Sequence, residues 1–183
     1  GSGANLLGYY MYHGGINPDG RDHTLEEVVG ELGYNYLPKK SYDFQTCIRE
    51  SGELSKSFGY LKKLHLFTAD FGEALAAMPP VLPERLPESP EDMETPRLSV
   101  RMDPESGEGF LFVNNHQRKR RMTEKRDLAV RIETPTGEAV VLEHLHVKSG
   151  VCGVIPFGLA AGESGLKLDR TNAWLLCRLG HRL

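Results

Sequence analysis

The feature that most restricts the fold is a proline-rich stretch near the middle of the chain. Residues 79–96 read PPVLPERLPESPEDMETP and hold six of the eleven prolines together with five acidic residues. Because proline fixes φ and lacks a backbone N–H, neither a helix nor a central strand suits this stretch. We therefore expect an extended, solvent-exposed linker that separates residues 1–78 from residues 97–183.

The composition is that of a chain able to build a packed core. Its 183 residues allow one ordinary domain or two small ones, and 39% of them are hydrophobic against 26% charged. The net charge of -3 gives no general attraction to nucleic acid or to an anionic membrane. No apolar run approaches the roughly 20 residues that span a bilayer. We expect neither nucleic acid nor membrane as a partner, and we take the cytoplasm as the default location.

The sequence offers little to hold a cofactor or a metal ion. Cys47, Cys152 and Cys177 are far apart and odd in number, so we expect reduced, mostly buried thiols rather than a disulfide framework. His144 and His146 are two residues apart, a spacing that permits two metal ligands, but no third ligand is nearby. No glycine-rich phosphate loop of standard spacing occurs. We therefore predict no cofactor and no metal.

Residues 1–78 combine helix and strand patterns. The apolar and aromatic run from Leu6 to His13 predicts a buried strand. Thr24 is placed to cap a short helix over 25–32. The clearest helix is predicted over 58–78, where an apolar stripe repeats every three or four residues. The members of that stripe are Leu61, Leu64, Thr68, Phe71 and Leu75.

Residues 97–183 alternate between apolar and polar side chains with a period of two. Leu98, Val100 and Met102 share one face, and glycine or proline turns separate the following runs. The last predicted strands lie around 166–168 and 174–177. Six or seven short strands of this kind predict an antiparallel β-sandwich.

The two parts differ in their ability to fold alone. The β part has enough strands to bury a core of its own. A single strand with a loop and one helix does not, because a strand needs neighbours for its backbone hydrogen bonds. Residues 1–78 are therefore interpreted as one strand–helix unit of a larger α/β body.

Four segments resemble glycoside hydrolase family 35, the β-galactosidases, in the order expected for bacterial members. YYMYHGGINPDG at 9–20 resembles the eighth-strand motif of the family, and SYDFQTCIRESG at 41–52 resembles its Ser-Tyr-Asp-aromatic segment. YLKKLHLFTADFGEALAAM at 60–78 is similar to the last barrel helix, and GEGFLFVNNHQR at 107–118 is similar to the start of the following β domain.

The resemblance implies a fold that is α/β plus all-β. Residues 1–78 would be the last strand, loop and helix of a (β/α)8 TIM barrel, 79–96 a linker, and 97–183 an antiparallel β-sandwich domain. The implied chemistry is retaining hydrolysis of a terminal β-galactoside by two glutamates about 5 Å apart. In the family both lie upstream of the part matched here, so the chain is expected to be an inactive C-terminal fragment whose partner is the missing N-terminal barrel.

The resemblance also implies a sugar-binding role for three residues. Tyr10 matches the strand-eight tyrosine that contacts galactose, and Tyr42 and Asp43 match a pair in the following loop. The expected ligand is a β-galactoside or another glycan. Phe44 stands where many members have a second tyrosine, so one hydroxyl is missing. Ile16 replaces a threonine that could brace the turn.

Bracing and packing roles are equally open for these residues. A tyrosine on a buried strand is more often part of the core than a ligand contact, which applies to Tyr10 and also to Tyr12 and His13. Asp43 can cap or brace its own loop. Gly14 and its neighbouring glycine allow a sharp turn close to a ligand.

Two further features bear on alternative functions. The basic run RKRR at 118–121 could contact an acidic partner, although a solvated hairpin is the favoured interpretation. Residues 97–183 could instead form a non-catalytic carbohydrate-binding or architectural module. Their few aromatic residues, which include Trp174, lie mostly on strands predicted to be buried, and this favours architecture over binding.

Overall fold

A computed structural model describes residues 1–18, 40–161 and 165–180 of the chain. The predicted helix over 25–32 and its Thr24 cap lie outside the described residues. Among those described, one α-helix, α1, spans Lys56–Ala77. The strands are β1 (Gly15–Ile16), β2 (Ser41–Tyr42), β3 (Pro80–Val81), β4 (Arg97–Met102), β5 (Gly109–Asn114), β6 (Lys125–Glu133), β7 (Ala139–Val147), β8 (Cys152–Ala160) and β9 (Lys167–Arg170).

The fold is mainly β, with its named strands in antiparallel sheets. The predicted combination of a TIM-barrel unit and a β-sandwich is therefore wrong. The Leu6–His13 run does not form the predicted buried strand, and Leu6 is 87% exposed. The physical reason is that an apolar run becomes a strand only where a neighbour satisfies its backbone groups. Among the described residues before α1, strand pairing consists of β1 with β2 and of isolated bridges from Ile48 to His13 and to Leu54.

The chain divides into two compact units, and the division falls within α1. The smaller unit consists of residues 7–65, and the larger unit consists of residues 1–6 and 66–183. The proline-rich segment 79–96 belongs to the larger unit. It is attached there through β3, which pairs with β4, and through the Lys125 ammonium group, which donates to the carbonyl of Met93 at 2.7 Å.

The larger unit is built on a five-stranded antiparallel sheet in the order β3-β4-β5-β8-β9. In its central register Leu98 lies opposite Val113, and Leu111 lies opposite Ile155. The remaining strands, β6 and β7, form a separate antiparallel ribbon. The strands predicted around residues 98–102 and 166–168 are confirmed. The strand predicted at 174–177 is wrong, because that segment has no strand pairing.

Both faces of this sheet are covered. On one face the sheet packs against the β6–β7 ribbon, where Leu111, Ile155 and Phe157 meet Leu142 and Val147. On the other face it packs against the C-terminal half of α1. Because side chains alternate along a strand, successive residues of β5 pack on opposite faces of the sheet, against the ribbon and against α1 in turn.

The helix is confirmed, although its buried side is shorter than the predicted stripe. Phe67 and Phe71 are its buried residues, and they pack against Phe110 of β5 at ring distances of 5.6 and 5.4 Å. Leu64, at the centre of the predicted stripe, is exposed. Among the described residues, no helix combines the length and the apolar character needed to cross a membrane.

Arg101 of β4 closes the C-terminal end of the helix. Its side chain is buried, and its guanidinium donates to the carbonyls of Met78, at 2.6 Å, and Leu75. Carbonyls at a helix C-terminus lack partners within the helix, and the negative end of the helix dipole favours a cation there. This contact explains how an arginine is accommodated inside a sheet that is covered on both faces.

Candidate functional site

Three aromatic side chains meet on the surface of the smaller unit. The hydroxyl oxygens of Tyr10 and Tyr42 are 2.8 Å apart, in a hydrogen bond that either group can donate. The ring of Phe44 lies edge-on to both, with centroids 6.0 Å from Tyr10 and 4.6 Å from Tyr42. Two tyrosines that are 32 residues apart in sequence thus form one cluster, which we call the tyrosine face (Tyr10, Tyr42 and Phe44).

The tyrosine face is open to solvent. Tyr10 is 79% exposed and Phe44 is 53% exposed, while Tyr42 is half-buried. Exposed rings offer apolar surfaces, and the hydroxyl of Tyr10 at their edge can both donate and accept hydrogen bonds. This combination of flat apolar surface and polar edge can bind a molecule that has both C–H faces and hydroxyl groups.

A short antiparallel pair of strands positions Tyr42. Gly15 of β1 lies opposite Tyr42 of β2, and the amide of Asn17 donates to the carbonyl of Lys40 at 2.8 Å. Next to this pair, the amide of Gly14 donates to the carbonyl of Ile48 at 2.8 Å. The segment that carries Tyr10 and the loop that carries Tyr42 are therefore joined by backbone hydrogen bonds.

Gly14 is required by close packing inside the unit. A Cβ at this position would lie 2.7 Å from a carboxylate oxygen of Asp43 and 2.8 Å from the amide nitrogen of Glu50. Only glycine can allow the two backbone segments to approach this closely. The adjacent Gly15 has no atom within 4 Å of the same position, so only the first glycine of the pair is sterically required.

Asp43 faces the interior of its own loop. Its carboxylate forms an ion pair with Arg49 at 2.6 Å and accepts a hydrogen bond from the amide of Glu50 at 3.0 Å. The hydrogen bond from Arg49 is the main cause of a lowered pKa of the Asp43 carboxyl group. These contacts give Asp43 the geometry of a brace for the loop that presents Tyr42 and Phe44.

The loop after Tyr42 holds two residues in a rare backbone conformation. Phe44 and Gln45 have φ angles of 47° and 54°, in the left-handed region that non-glycine residues seldom adopt. The amide of Thr46 closes the turn by donating to the carbonyl of Asp43 at 3.0 Å. Such conformations cost about 1–3 kcal/mol each and are found preferentially where a structure holds a side chain in place for binding.

The other aromatic residues of the first segment are placed for packing. Tyr9 and Tyr12 lie against His65 with ring distances of 5.5 and 5.6 Å, and the Tyr9 hydroxyl hydrogen-bonds to the imidazole. Burial and the neighbouring Cys47 raise the pKa of Tyr12. His13 contacts the carbonyl of Gly14 through Nδ1. Only Tyr10 of this segment belongs to the tyrosine face.

Two residues that follow the turn at Phe44 have roles within the loop. The hydroxyl of Thr46 donates to the carbonyl of Ile48 at 2.6 Å, and the buried thiol of Cys47 donates to the carbonyl of Tyr12 at 3.0 Å. Ile16 is exposed. Arg49, the partner of Asp43, was missed at the sequence level, since nothing in the spacing of the two residues marks them as a pair.

In the larger unit, two histidines of β7 have carboxylate partners on the ribbon. His144 Nδ1 lies 2.5 Å from Asp127, and His146 Nε2 lies 2.6 Å from Glu124. No group of three or more metal-binding side chains is found in the described part of the chain. The three cysteines are free. Only Cys47 is buried, whereas Cys177 is half-buried and Cys152 is exposed, so the expectation of mostly buried thiols is wrong.

Trp174 marks a second concave surface in the larger unit. It is 41% exposed, and its ring lies against the backbone of Gly153. It lines a cleft of about 360 Å³ together with Pro156, Leu166 and Leu168, among others. The backbone of the adjacent Leu175 donates to the carbonyl of Val154 at 2.8 Å, which fixes the tryptophan segment against β8.

Comparison with protein families and with curated proteins found no relative of the chain. No protein-family model matches the chain, and no curated protein matches it significantly. The likeness to glycoside hydrolase family 35 therefore depends on the four sequence segments, and function has to be argued from the geometry of the described residues.

Proposed function

We propose that the tyrosine face binds a β-galactoside as one wall of a sugar site in a β-galactosidase-like glycoside hydrolase. The observation that carries this proposal is the hydrogen bond between the exposed hydroxyls of Tyr10 and Tyr42 at 2.8 Å. The resemblance to glycoside hydrolase family 35 matches both residues to positions that lie at the sugar. The two residues are 32 positions apart in the sequence. Their meeting at the surface gives the sequence argument a geometric basis.

The chemistry of the face fits a sugar. A galactose ring has an apolar surface of C–H groups, which stacks on an aromatic ring, and hydroxyl groups at its edges. Tyr10 and Phe44 supply exposed rings, and the tyrosine pair supplies hydrogen-bonding groups beside them. A ligand that carried only charge, or only hydrocarbon, would leave one half of this surface unused.

Within the proposal Asp43 acts through the loop. Its carboxylate binds Arg49 and the amide of Glu50. These contacts stabilise the loop that carries the exposed Phe44. We assign the catalytic carboxylates of the proposed hydrolase to another part of the parent protein. The contribution of this chain is to bind and orient the sugar.

The test is the affinity of the 183-residue chain for methyl β-galactoside, measured by titration calorimetry or NMR. A single exposed face predicts weak binding, with a Kd of about 1–10 mM. Tyr10→Ala should weaken binding at least tenfold, and Tyr42→Phe, which removes one hydroxyl, should weaken it about threefold to tenfold. Phe44→Tyr restores the second hydroxyl and should strengthen binding by a similar factor.

Tyr60 provides the matched control. It lies in the N-terminal part of α1 in the same unit, and at 74% its exposure is close to that of Tyr10. Tyr60→Ala should leave the affinity unchanged. Equal losses for Tyr60→Ala and Tyr10→Ala, or unchanged affinity after all substitutions in the tyrosine face, would contradict the proposal.

A second candidate function is a carbohydrate-binding module in the larger unit, favoured by the half-exposed Trp174 and its cleft. Tryptophan is the largest aromatic platform available to a sugar. Because the chain has a single tryptophan, its fluorescence reports on this cleft alone. A galactoside-induced change in emission that Trp174→Phe abolishes, with no effect of Tyr10→Ala, would favour this candidate over the tyrosine face.

A further inference from the structure

The basic run at 118–121 presents cations without counter-charges. Arg118, Lys119, Arg120 and Arg121 are all exposed. Within the described part of the chain no ion pair or side-chain hydrogen bond engages them, and the same holds for Lys148 on the neighbouring turn. In a chain with a net charge of -3, such a local excess of positive charge stands out from the rest of the surface.

Two acidic residues beside segment 121–124 are engaged within the chain. Glu124 accepts hydrogen bonds from Arg126 at 2.7 Å and interacts with His146 at 2.6 Å, and the contact with Arg126 is the main cause of its lowered pKa. Glu94 accepts a hydrogen bond from the hydroxyl of Thr123. Arg121 and Lys148 are therefore left to interact with an anion from outside the chain.

Arg121 and Lys148 both line one concave surface. It is a cleft of about 550 Å³, lined by the segment 121–124 and by the turn at 148–149. We call it the basic cleft, and its lining consists of Arg121, Met122, Thr123, Glu124, Lys148 and Ser149. Its volume is within the range of about 300–1,000 Å³ that small-molecule sites occupy.

The two segments that line the basic cleft are joined by a buried side-chain amide. Asn115 is 2% exposed, and its side-chain nitrogen donates to the carbonyl of Thr123 at 3.0 Å and to that of Lys148 at 3.2 Å. The backbone of Asn115 also accepts a hydrogen bond from the amide of Gly150 at 2.8 Å. These hydrogen bonds fix the spacing of the two segments before a ligand binds, which lowers the entropic cost of binding.

We propose that the basic cleft binds an oxyanion carried by a saccharide, either the carboxylate of a uronic acid or the sulfate of a sulfated sugar. Arg121 and Lys148 would pair with the oxyanion, and the hydroxyl of Ser149 would provide a hydrogen-bonding group for the ring. Nucleic acid fits less well, because segment 118–126 contains no aromatic residue on which a base could stack. The inference does not depend on the galactoside site, since the cleft lies in the other unit.

The test uses the 183-residue chain and four probes: galacturonate, galactose 6-sulfate, neutral galactose and inorganic sulfate. Binding is followed by NMR shifts of the Thr123, Lys148 and Ser149 amides at about 50 mM and 150 mM salt. We expect at least one acidic sugar to bind at least fivefold more tightly than galactose and than inorganic sulfate. The stronger of the two acidic sugars identifies the source of the oxyanion.

The combined substitution Arg121→Gln and Lys148→Gln should weaken acidic-sugar binding at least tenfold. The matched control, Lys62→Gln with Lys63→Gln, removes the same charge from exposed positions on α1 and should change affinity less than twofold. Inorganic sulfate binding as tightly as the sulfated sugar, equal losses in both double variants, or tighter binding of a single-stranded oligonucleotide would each overturn the proposal. Binding of methyl β-galactoside through the tyrosine face should be the same in all variants.

Discussion

The two units of the chain use aromatic side chains in opposite ways. In the larger unit Phe110 and Phe157 are fully buried, and they join the sheet to the layers on its two faces. In the smaller unit the rings of Tyr10 and Phe44 are exposed to solvent. A buried ring stabilises a fold by removing apolar area from water, whereas an exposed ring leaves that area available to a ligand. The buried rings therefore contribute to the stability of the larger unit, whereas the rings of the tyrosine face leave their apolar surface accessible.

The largest expected effect separates the two kinds of ring. Phe110→Ala removes a ring that contacts both Phe67 and Phe71, so it should lower the free energy of unfolding by about 3–5 kcal/mol. Phe44→Ala, which removes an equally large ring from the surface, should change it by less than about 1 kcal/mol. The free energy of unfolding of the two variants is measured in urea. Similar losses in both would contradict the difference between buried and exposed rings.

The second prediction concerns the arginine that closes α1. Arg101→Leu leaves the carbonyls of Met78 and Leu75 without their charged donor, so it should cost about 2–4 kcal/mol. The exposed Arg131, which pairs with Glu133 on the ribbon, is the matched control, and Arg131→Leu should change stability by less than about 0.5 kcal/mol. If both variants unfold at the same urea concentration, the buried arginine does not have the assigned role.

The third prediction tests close packing within the smaller unit. Gly14→Ala places a methyl group 2.7 Å from Asp43 and should destabilise this unit by about 1–3 kcal/mol. Gly15→Ala meets no neighbouring atom and should be nearly neutral. Hydrogen exchange of the amides of Gly14 and Ile48, which bridge the two segments, gives the readout. Equal exchange rates in the two variants would show that the backbone approach is not a steric requirement.

The smallest expected effect is on the ionisation of Asp43. Because Arg49 lowers its pKa in the folded chain, the pair contributes stability at pH values above the unfolded value of about 3.9. That contribution is lost as the pH falls through the lowered pKa. Arg49→Gln should move the pKa of Asp43 up towards its ordinary value, as followed by carboxyl NMR shifts. A pKa that does not change would remove Arg49 as the cause of the shift.

The sequence predicted the larger unit better than the smaller one, and the reason is physical. Helix α1 and strands β4, β6 and β7 have local periodicity, and their apolar faces pack in the two cores. The Leu6–His13 run has apolar residues but no sheet to join, so tertiary context decided its structure. Periodicity also says nothing of contacts that are distant in sequence, such as those of Arg101 with the end of the helix.

The candidate site was predicted in part. The resemblance selected Tyr10 and Tyr42, and they lie side by side in the structure. It also selected Asp43, whose carboxylate contacts its own loop. The sequence contained no sign of the left-handed turn at Phe44 or of the role of Arg49, because both depend on how the loop closes in three dimensions.

The central claim is that the exposed rings of the smaller unit bind a galactoside. The most direct measurement is the NMR spectrum of the 183-residue chain as methyl β-galactoside is added. The account predicts that the largest shifts fall at Tyr10, Tyr42 and Phe44 and saturate with a Kd of about 1–10 mM. Saturable shifts confined to the surroundings of Trp174, or no saturable shift up to about 100 mM sugar, would contradict it.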